Sequence, residues 1–245
     1  MVVERSSLSV GSRRLRQMPE PLQPSEGLGV LHLFCRHSPG LDTDAVRRAI
    51  TSATDDGVQV VMVAILGHKA DCCVMALAPD FWKLRGLQTR LQAAGLDVVD
   101  SHLSLTESSE YAQGLPDEMK QARLYPQFPF EGKPAWCFYP MSKRRGEQHN
   151  WFILPFDQRK DLMYEHGTSG RKFAGRIQQL VTGSTGLDEF EWGVTLFGQR
   201  PDDLKDVVYT LRFDEASALY GEFGPFYVGM VGSVDEVLAA IASTD

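Results

Sequence analysis

The chain has 245 residues, 43% hydrophobic and 23% charged, with a formal net charge of -7. That length can bury a substantial core, as one large domain or two fused small ones, and the composition is that of an ordinary soluble globular protein. The acidic balance excludes a general nucleic-acid binder, whose affinity rests on a broad excess of Lys and Arg, so any anion site has to be local.

Residues 1–26 combine Ser, Arg and Pro with little apolar periodicity and are expected to form a mobile tail. Its Arg13, Arg14 and Arg16 are read as solvated charges, with contact to a partner or anionic lipid as the alternative. From Gly27 the pattern becomes regular. Residues 29–35 read as a strand and 42–53 as a helix opened by an Asp or Thr cap, with Val46, Ile50 and Ala53 on one face. Residues 58–66 and 72–77 are apolar strands joined by a polar connection, 81–94 is a helix ended by Gly95, and 96–105 closes the unit as a strand. The order β-α-β-β-α-β is that of a ferredoxin-like unit, assigned to residues 27–112.

Residues 107–134 are polar, and Pro116, Pro126, Pro129 and Pro134 are expected to interrupt any regular element. Residues 113–134 form the connector, long enough to suggest a functional loop. After it a similar order returns over residues 135–245. Strands are expected at 136–141 and 151–154, a helical region at 157–181 interrupted near Gly167 and Gly170, and a strand at 190–197. A helix at 201–213, a strand at 226–231 and a short helix at 235–242 complete it. The fold class is therefore α+β, with two ferredoxin-like units whose sheets pair around a pocket, helices outside.

Cys35, Cys72, Cys73 and Cys137 match neither a zinc spacing nor a disulfide framework and read as small buried hydrophobes in a reducing compartment. No apolar run approaches the ~20 residues needed to span a bilayer, and the N-terminal stretch has no signal-peptide h-region. The cytoplasm is the expected compartment.

The run Trp136-Cys137-Phe138-Tyr139-Pro140-Met141-Ser142-Lys143-Arg144-Arg145 is an apolar strand that ends in a phenol, a proline and three cations. Such a strand delivers Tyr139 and Lys143 to the mouth of a cavity. A phenol near a high-valent metal can give up an electron and a proton together. A tyrosine at a strand end is more often simply amphipathic, and a lysine there is usually solvated. His166 lies in a predicted helix with an apolar face and suits a lone metal ligand, the alternative being a core histidine bonded to a carbonyl. The other five histidines show no paired metal spacing. Gln179, thirteen residues after His166, would lie about 220° around an unbroken helix and could not face it there, whereas a break at Gly167 and Gly170 would free its segment. Arg212 and Ser217 offer a planar cation and a hydroxyl to carboxylates, unless Arg212 pairs with Asp214 or Glu215.

The segments 139–145, 165–167 with 170–172, 182–184, 191–197 and 212–215 with 221–224 resemble the coproheme decarboxylases of the chlorite dismutase-like superfamily, which are dimeric α+β barrels. The resemblance implies that His166 is the proximal iron ligand and Tyr139 the catalytic radical tyrosine. It implies that Arg123, Lys143 and Ser217 engage propionates, with Arg212 a further candidate, and that Tyr139, Pro140, Met141, Ser142 and Lys143 line the porphyrin. Gln179 stands where true chlorite dismutases carry a distal arginine, which disfavours chlorite chemistry. No histidine falls between His102 and Tyr139, so the chain is similar to the branch with a distal glutamine. The implied reaction is oxidative decarboxylation of two propionates of coproheme to vinyl groups by hydrogen peroxide, yielding haem b. A homopentamer is implied, and a transient contact with ferrochelatase is compatible with it. A haem-binding sensor or carrier on the same fold is the alternative, and a barrel with its pocket filled by side chains a third. No carboxylate partner for His166 is evident in the sequence.

Overall fold

The computed structural model describes residues 19–112, 114 and 116–242. In the first half β1 (Gly29–His37), α1 (Thr43–Asp55), β2 (Gln59–Ile65), β3 (Cys72–Ala78), α2 (Phe81–Ala93) and β4 (Leu96–Thr106) follow the expected order. Asp42 and Asp80 cap the two helices by accepting from Ala45 N and Trp82 N, which satisfies amide groups that a helix start leaves without partners. Gly95, at φ 95°, turns the chain from α2 into β4.

The connector is more regular than its prolines suggested. A 3-10 turn (Glu110–Ala112) is followed by α3 (Asp117–Leu124). Pro116 stands at the N-cap of α3, where its missing N–H costs no hydrogen bond, and Asp117 and Glu118 follow in the first turn, favoured by the helix dipole. Residues 19–26, expected in the tail, are partly tied down. Leu22 N donates to Asp80 Oδ1 (3.1 Å), and Phe81 N donates to Leu22 O (3.0 Å). Arg13, Arg14 and Arg16 lie outside the described residues.

The second half runs β5 (Ala135–Lys143), a 3-10 turn (Trp151–Ile153), α4 (Phe156–Arg171), β6 (Ile177–Gly183), β7 (Trp192–Gly198), α5 (Pro201–Leu211), α6 (Glu215–Ala218), β8 (Gly221–Phe223), β9 (Tyr227–Gly232) and α7 (Val234–Ala242). Two expectations fail here. Residues 151–154 are no strand, because the Asn150 side chain accepts from Phe152 N and curls them into a turn. The helical region stops at Arg171 instead of 181. Gly175, at φ 82°, reverses the chain, and the run Ile-Gln-Gln-Leu-Val-Thr-Gly then extends as β6.

Among the described residues nine strands join in the order β7-β6-β4-β1-β3-β2-β9-β5-β8, and the additional β5–β7 pairing closes all but β8 into a ring. Each half keeps the ferredoxin-like order, β4-β1-β3-β2 and β9-β5-β7-β6, and the halves meet edge to edge at β2–β9 and β4–β6. Where the sequence suggested a pocket between the sheets, side chains of the described residues pack the ring's interior. Phe34, Met75, Trp136, Phe138 and Phe197 fill it, each under 2% exposed, and complete burial of such side chains is worth about 1.5–3 kcal/mol apiece. The helices pack outside. All four cysteines are buried free thiols, as the sequence suggested. Among the described residues no helix is long and apolar enough to cross a membrane.

The β4–β6 seam is short, with Leu105↔Gly183 and Thr106↔Thr182 its register pairs. Side chains extend it. Asp188 accepts from Leu103 N (2.9 Å) and stands 3.5 Å from His102 Nδ1, Ser104 Oγ donates to Thr182 Oγ1 (2.8 Å), and His32 Nε2 lies 3.1 Å from Thr195 Oγ1. His32 and His102 are cross-strand neighbours inside the barrel. Burial, reinforced by His102, holds His32 well below its ordinary pKa. Burial also lowers His102, against the pull of Asp188 and Asp100. Both therefore stay neutral in the fold, while the unfolded chain protonates near pH 6.5. Their stabilisation is complete above that pH and is lost as pH falls through it, by up to about 1.4 kcal/mol per unit for each histidine. Urea midpoints measured between pH 7.5 and 5.5 should fall more steeply for the natural chain than for His102→Gln. Parallel lines would show that the seam does not exclude protons.

Candidate functional site

The site lies outside the barrel, on the outer face of the second half. Strand alternation turns Ala135, Cys137, Tyr139 and Met141 of β5 toward α5, while Trp136 and Phe138 fill the interior. Lys143 continues the outer set. Pro140 and Ser142 alternate to the other side: Pro140 O accepts from Gly224 N (2.9 Å) and Ser142 Oγ from Glu191 N (3.2 Å). Of the five consecutive residues, then, three present side chains to this face.

Helix α5 seals part of the face with Leu204, Val207 and Leu211. Helix α4 packs instead against α5, α6 and the 3-10 turn at Glu110–Ala112, with Leu162 and Ser169 its buried residues. His166 is on this helix.

His166 Nδ1 faces Asp214 Oδ2 at 3.1 Å, although the two atoms lack the alignment of a hydrogen bond. One turn along α4, Ser169 Oγ donates to Asp214 Oδ1 (2.8 Å). Asp214 is therefore the carboxylate partner that the sequence did not disclose, and it is held by the turn that starts α6. Burial and the nearby Lys143 ammonium lower the His166 pKa, and Asp214 opposes them. The neutral ring keeps a lone pair, and with Nδ1 committed to Asp214 the Nε2 atom is free to take a metal.

Lys143 is buried rather than solvated. Its Nζ donates to Ala216 O (2.7 Å) and stands 4.3 Å from the centre of the Trp151 ring, and its backbone N donates to Glu191 Oε2 (2.8 Å). Burial brings its pKa down to about 8, against the pull of Glu191. Tyr139 stacks on Phe226 at 4.5 Å, and its hydroxyl has no hydrogen bond among the described residues. Burial, aided by Cys137, pushes its pKa well up against the Arg212 cation, so the phenol stays protonated. Arg212 lies 3.7 Å over the Phe223 ring and forms no ion pair among the described residues, so neither Asp214 nor Glu215 occupies it. Ser217 is half-buried, with its hydroxyl unbonded among the described residues and its backbone N on Asp214 O (2.9 Å).

Gln179 sits on β6, not on a helix. Its register partner is Leu196, whose own partner on β5 is Cys137, so its exposed side chain shares the face of Tyr139. Arg123 is exposed in the last turn of α3, in contact with none of these groups. Sequence reasoning missed Asp214, Phe223 and Phe226. The Arg-Phe-Asp-Glu run carried the signal for Asp214, but nothing in it says which carboxylate turns inward. Replacing Asp214 by Asn should lower the His166 pKa further, and Lys143→Met should raise it, both read from the imidazole NMR titration in the full chain. Shifts of the opposite sign would dissolve the assigned couple.

A donor set of one free imidazole nitrogen, an unbonded phenol and cations without carboxylates, lined by Met141, Phe223 and Phe226, suits a flat, apolar, anionic guest with a metal at its centre. Known proteins point the same way. A coproheme decarboxylase of Staphylococcus carnosus is 45% identical over 179 residues, 68% of this chain and 70% of that protein. A protein of Natronomonas pharaonis named for heme binding is 37% identical over 92% of this chain, which spans 43% of that longer protein. A solved heme-binding protein from Thermus thermophilus superposes with a TM-score of 0.78 at 34% identity, over 93% of this chain and 100% of that one. A chlorite dismutase from Candidatus Nitrospira defluvii shares the fold at a TM-score of 0.71 and 17% identity, over 90% and 98% of the two chains. The chlorite dismutase family model matches residues 42–232, most of the α+β barrel, and the chain belongs to that family.

Proposed function

We propose that this protein is a coproheme decarboxylase. It takes iron coproporphyrin III as substrate, with hydrogen peroxide as oxidant, and returns haem b. The observation that carries this reading is His166, one ring nitrogen turned to Asp214 and the other without a partner among the described residues, on a helix that packs on α5, which in turn covers the sheet face bearing the unbonded Tyr139 phenol.

The bound iron would supply the two-electron oxidation, which no side chain of this chain can perform alone. For each side arm, a propionate, one peroxide and one proton give a vinyl group, carbon dioxide and two waters. The protein's part is position and proton control. His166 would hold the metal through Nε2, with Asp214 fixing the ring. Tyr139 would stand beside a propionate and pass on an electron and proton together, which its raised pKa favours by keeping the proton on oxygen until the transfer. Lys143, Arg212 and Ser217 would hold carboxylates, each having bonding capacity left. Arg123 would join them only if α3 closed over the guest. Gln179 would face the other side of the ring.

A second reading has its own support. Two similar proteins, 34–37% identical over more than nine-tenths of this chain, are named for heme binding alone. A carrier would need His166 and not Tyr139. Titrating the coproheme complex with peroxide and weighing the porphyrin separates the two. The decarboxylase loses two carboxyl groups and forms vinyls, Tyr139→Phe binds coproheme with an unchanged Soret shift but forms at least 10-fold less product, and His166→Ala loses the Soret shift. Bleaching without vinyl product in the natural chain would leave the carrier.

A further inference from the structure

Glu107 is the first residue beyond β4, and no step described so far uses it. In the β4–β6 pairing Thr106 meets Thr182, so the next position brings Glu107 beside Val181. Thr106 and Thr182 point inward, so alternation turns Glu107 outward with Val181, onto the face that carries Tyr139. Val181 pairs with Val194, and Val194 with Tyr139. Glu107 and Tyr139 thus end one row, three strand spacings or about 14 Å apart.

The carboxyl group is built into this position. Trp192 Nε1 donates to Oε1 at 3.2 Å. Trp192 is the register partner of both Gly183 and Met141, which ties the carboxyl to the row next to Tyr139. Gly183 gives it room, since a Cβ there would come within 2.2 Å of Oε2. That second oxygen has no hydrogen bond and no cation among the described residues. The elements packed against it present Val181, Gly183 and Trp192, none of which titrates, while Lys143 and Arg212 stand with Tyr139 at the other end. Glu107 is itself an exposed residue; the partial desolvation of its carboxyl raises its pKa and the indole opposes it. Two of its neighbours on β6, Gln179 and Val181, are exposed, so the carboxyl borders open surface.

We infer that Glu107 is a specificity-determining residue at the rim opposite Tyr139, which binds one carboxylate side arm of the guest as a carboxylic acid donating a hydrogen bond. The inference rests on the reading of the site as a tetrapyrrole cleft. Two carboxylates at hydrogen-bond distance cannot both stay ionised cheaply, so they share a proton. Binding of a polycarboxylate guest then takes up one proton at Glu107. A guest without a carboxylate at that corner forgoes the bond, so the protonated acid selects for carboxylate-rich porphyrins.

Coproheme affinity, from Soret titrations between pH 6 and 9, tests this on full-length protein and on Glu107→Gln. The amide keeps an oxygen for Trp192 and donates without needing a proton. Lys143 and His166 titrate in both proteins, so the ratio of the two affinities carries the result. The variant should gain on the natural chain by up to about tenfold per pH unit above the free Glu107 pKa and exceed it at pH 8.5. A constant ratio across the range, with equal urea midpoints, would overturn the assignment while leaving the cleft intact. If the natural chain gives no Soret shift at any pH, the cleft reading and the role of Glu107 fall together.

Discussion

Closure of the sheet on itself is the constraint from which the rest follows. Once β2 meets β9 and β4 meets β6, no strand of the ring keeps a free edge, and the inward side chains face one another across a narrow interior. Phe34, Trp136, Phe138 and Phe197 occupy that interior. Whatever the molecule binds has to lie against the outer face, and the helices decide where that face is open. In the first half α2 presses Leu84, Leu87 and Leu91 onto the strands, and α1 adds Val46, Ala49, Ile50 and Ala53. Helix α4 has two buried residues in sixteen, and one of them is a serine. Two halves of the same strand order therefore differ in how their helices bury apolar side chains, and α4 buries few.

The elements legible in the sequence were those whose apolar periodicity was unbroken. Every element of the first half was read within a few residues, because Val46-Ile50-Ala53 and Leu84-Leu87-Leu91 allow no period but that of a helix. The errors fell where a local hydrogen bond or a backbone sign competes with periodicity. Asn150 curls a run that looks extended, and Gly175 at positive φ divides a helix from a strand inside a stretch that reads as continuous. That second error left the facing of Gln179 toward His166 open. Placed on β6, it lies on the face of Tyr139.

The site was legible in kind more than in arrangement. Tyr139, Lys143 and His166 stood out as residue types in unusual company, and the resemblance assigned them roles. Their partners depend on tertiary contact and have no local signature. Asp214 turns to His166 because Ser169 and the start of α6 hold it there, and Glu107 has room for its carboxyl because of Gly183, far along the chain. The expectation of a solvated Lys143 was reasonable for a basic run on a strand end. Burial reversed it, because Ala216 O and the Trp151 ring receive the ammonium.

Under the proposed reading, a protein of net charge -7 that gathers anions at one place has to shelter its cations from its own acidic surface. Lys143 achieves this by going under the surface. There its charge is poorly screened and acts on His166 at close range, lowering the imidazole pKa while Asp214 raises it. The opposition would suit His166 in its proposed role as a metal ligand. A carboxylate alone would draw a proton onto the ring and block the free nitrogen, whereas a cation alone would weaken the ring as a donor. Because Lys143 also bonds the carbonyl of Ala216, two residues beyond Asp214, the same side chain helps hold in place the carboxylate whose effect it offsets.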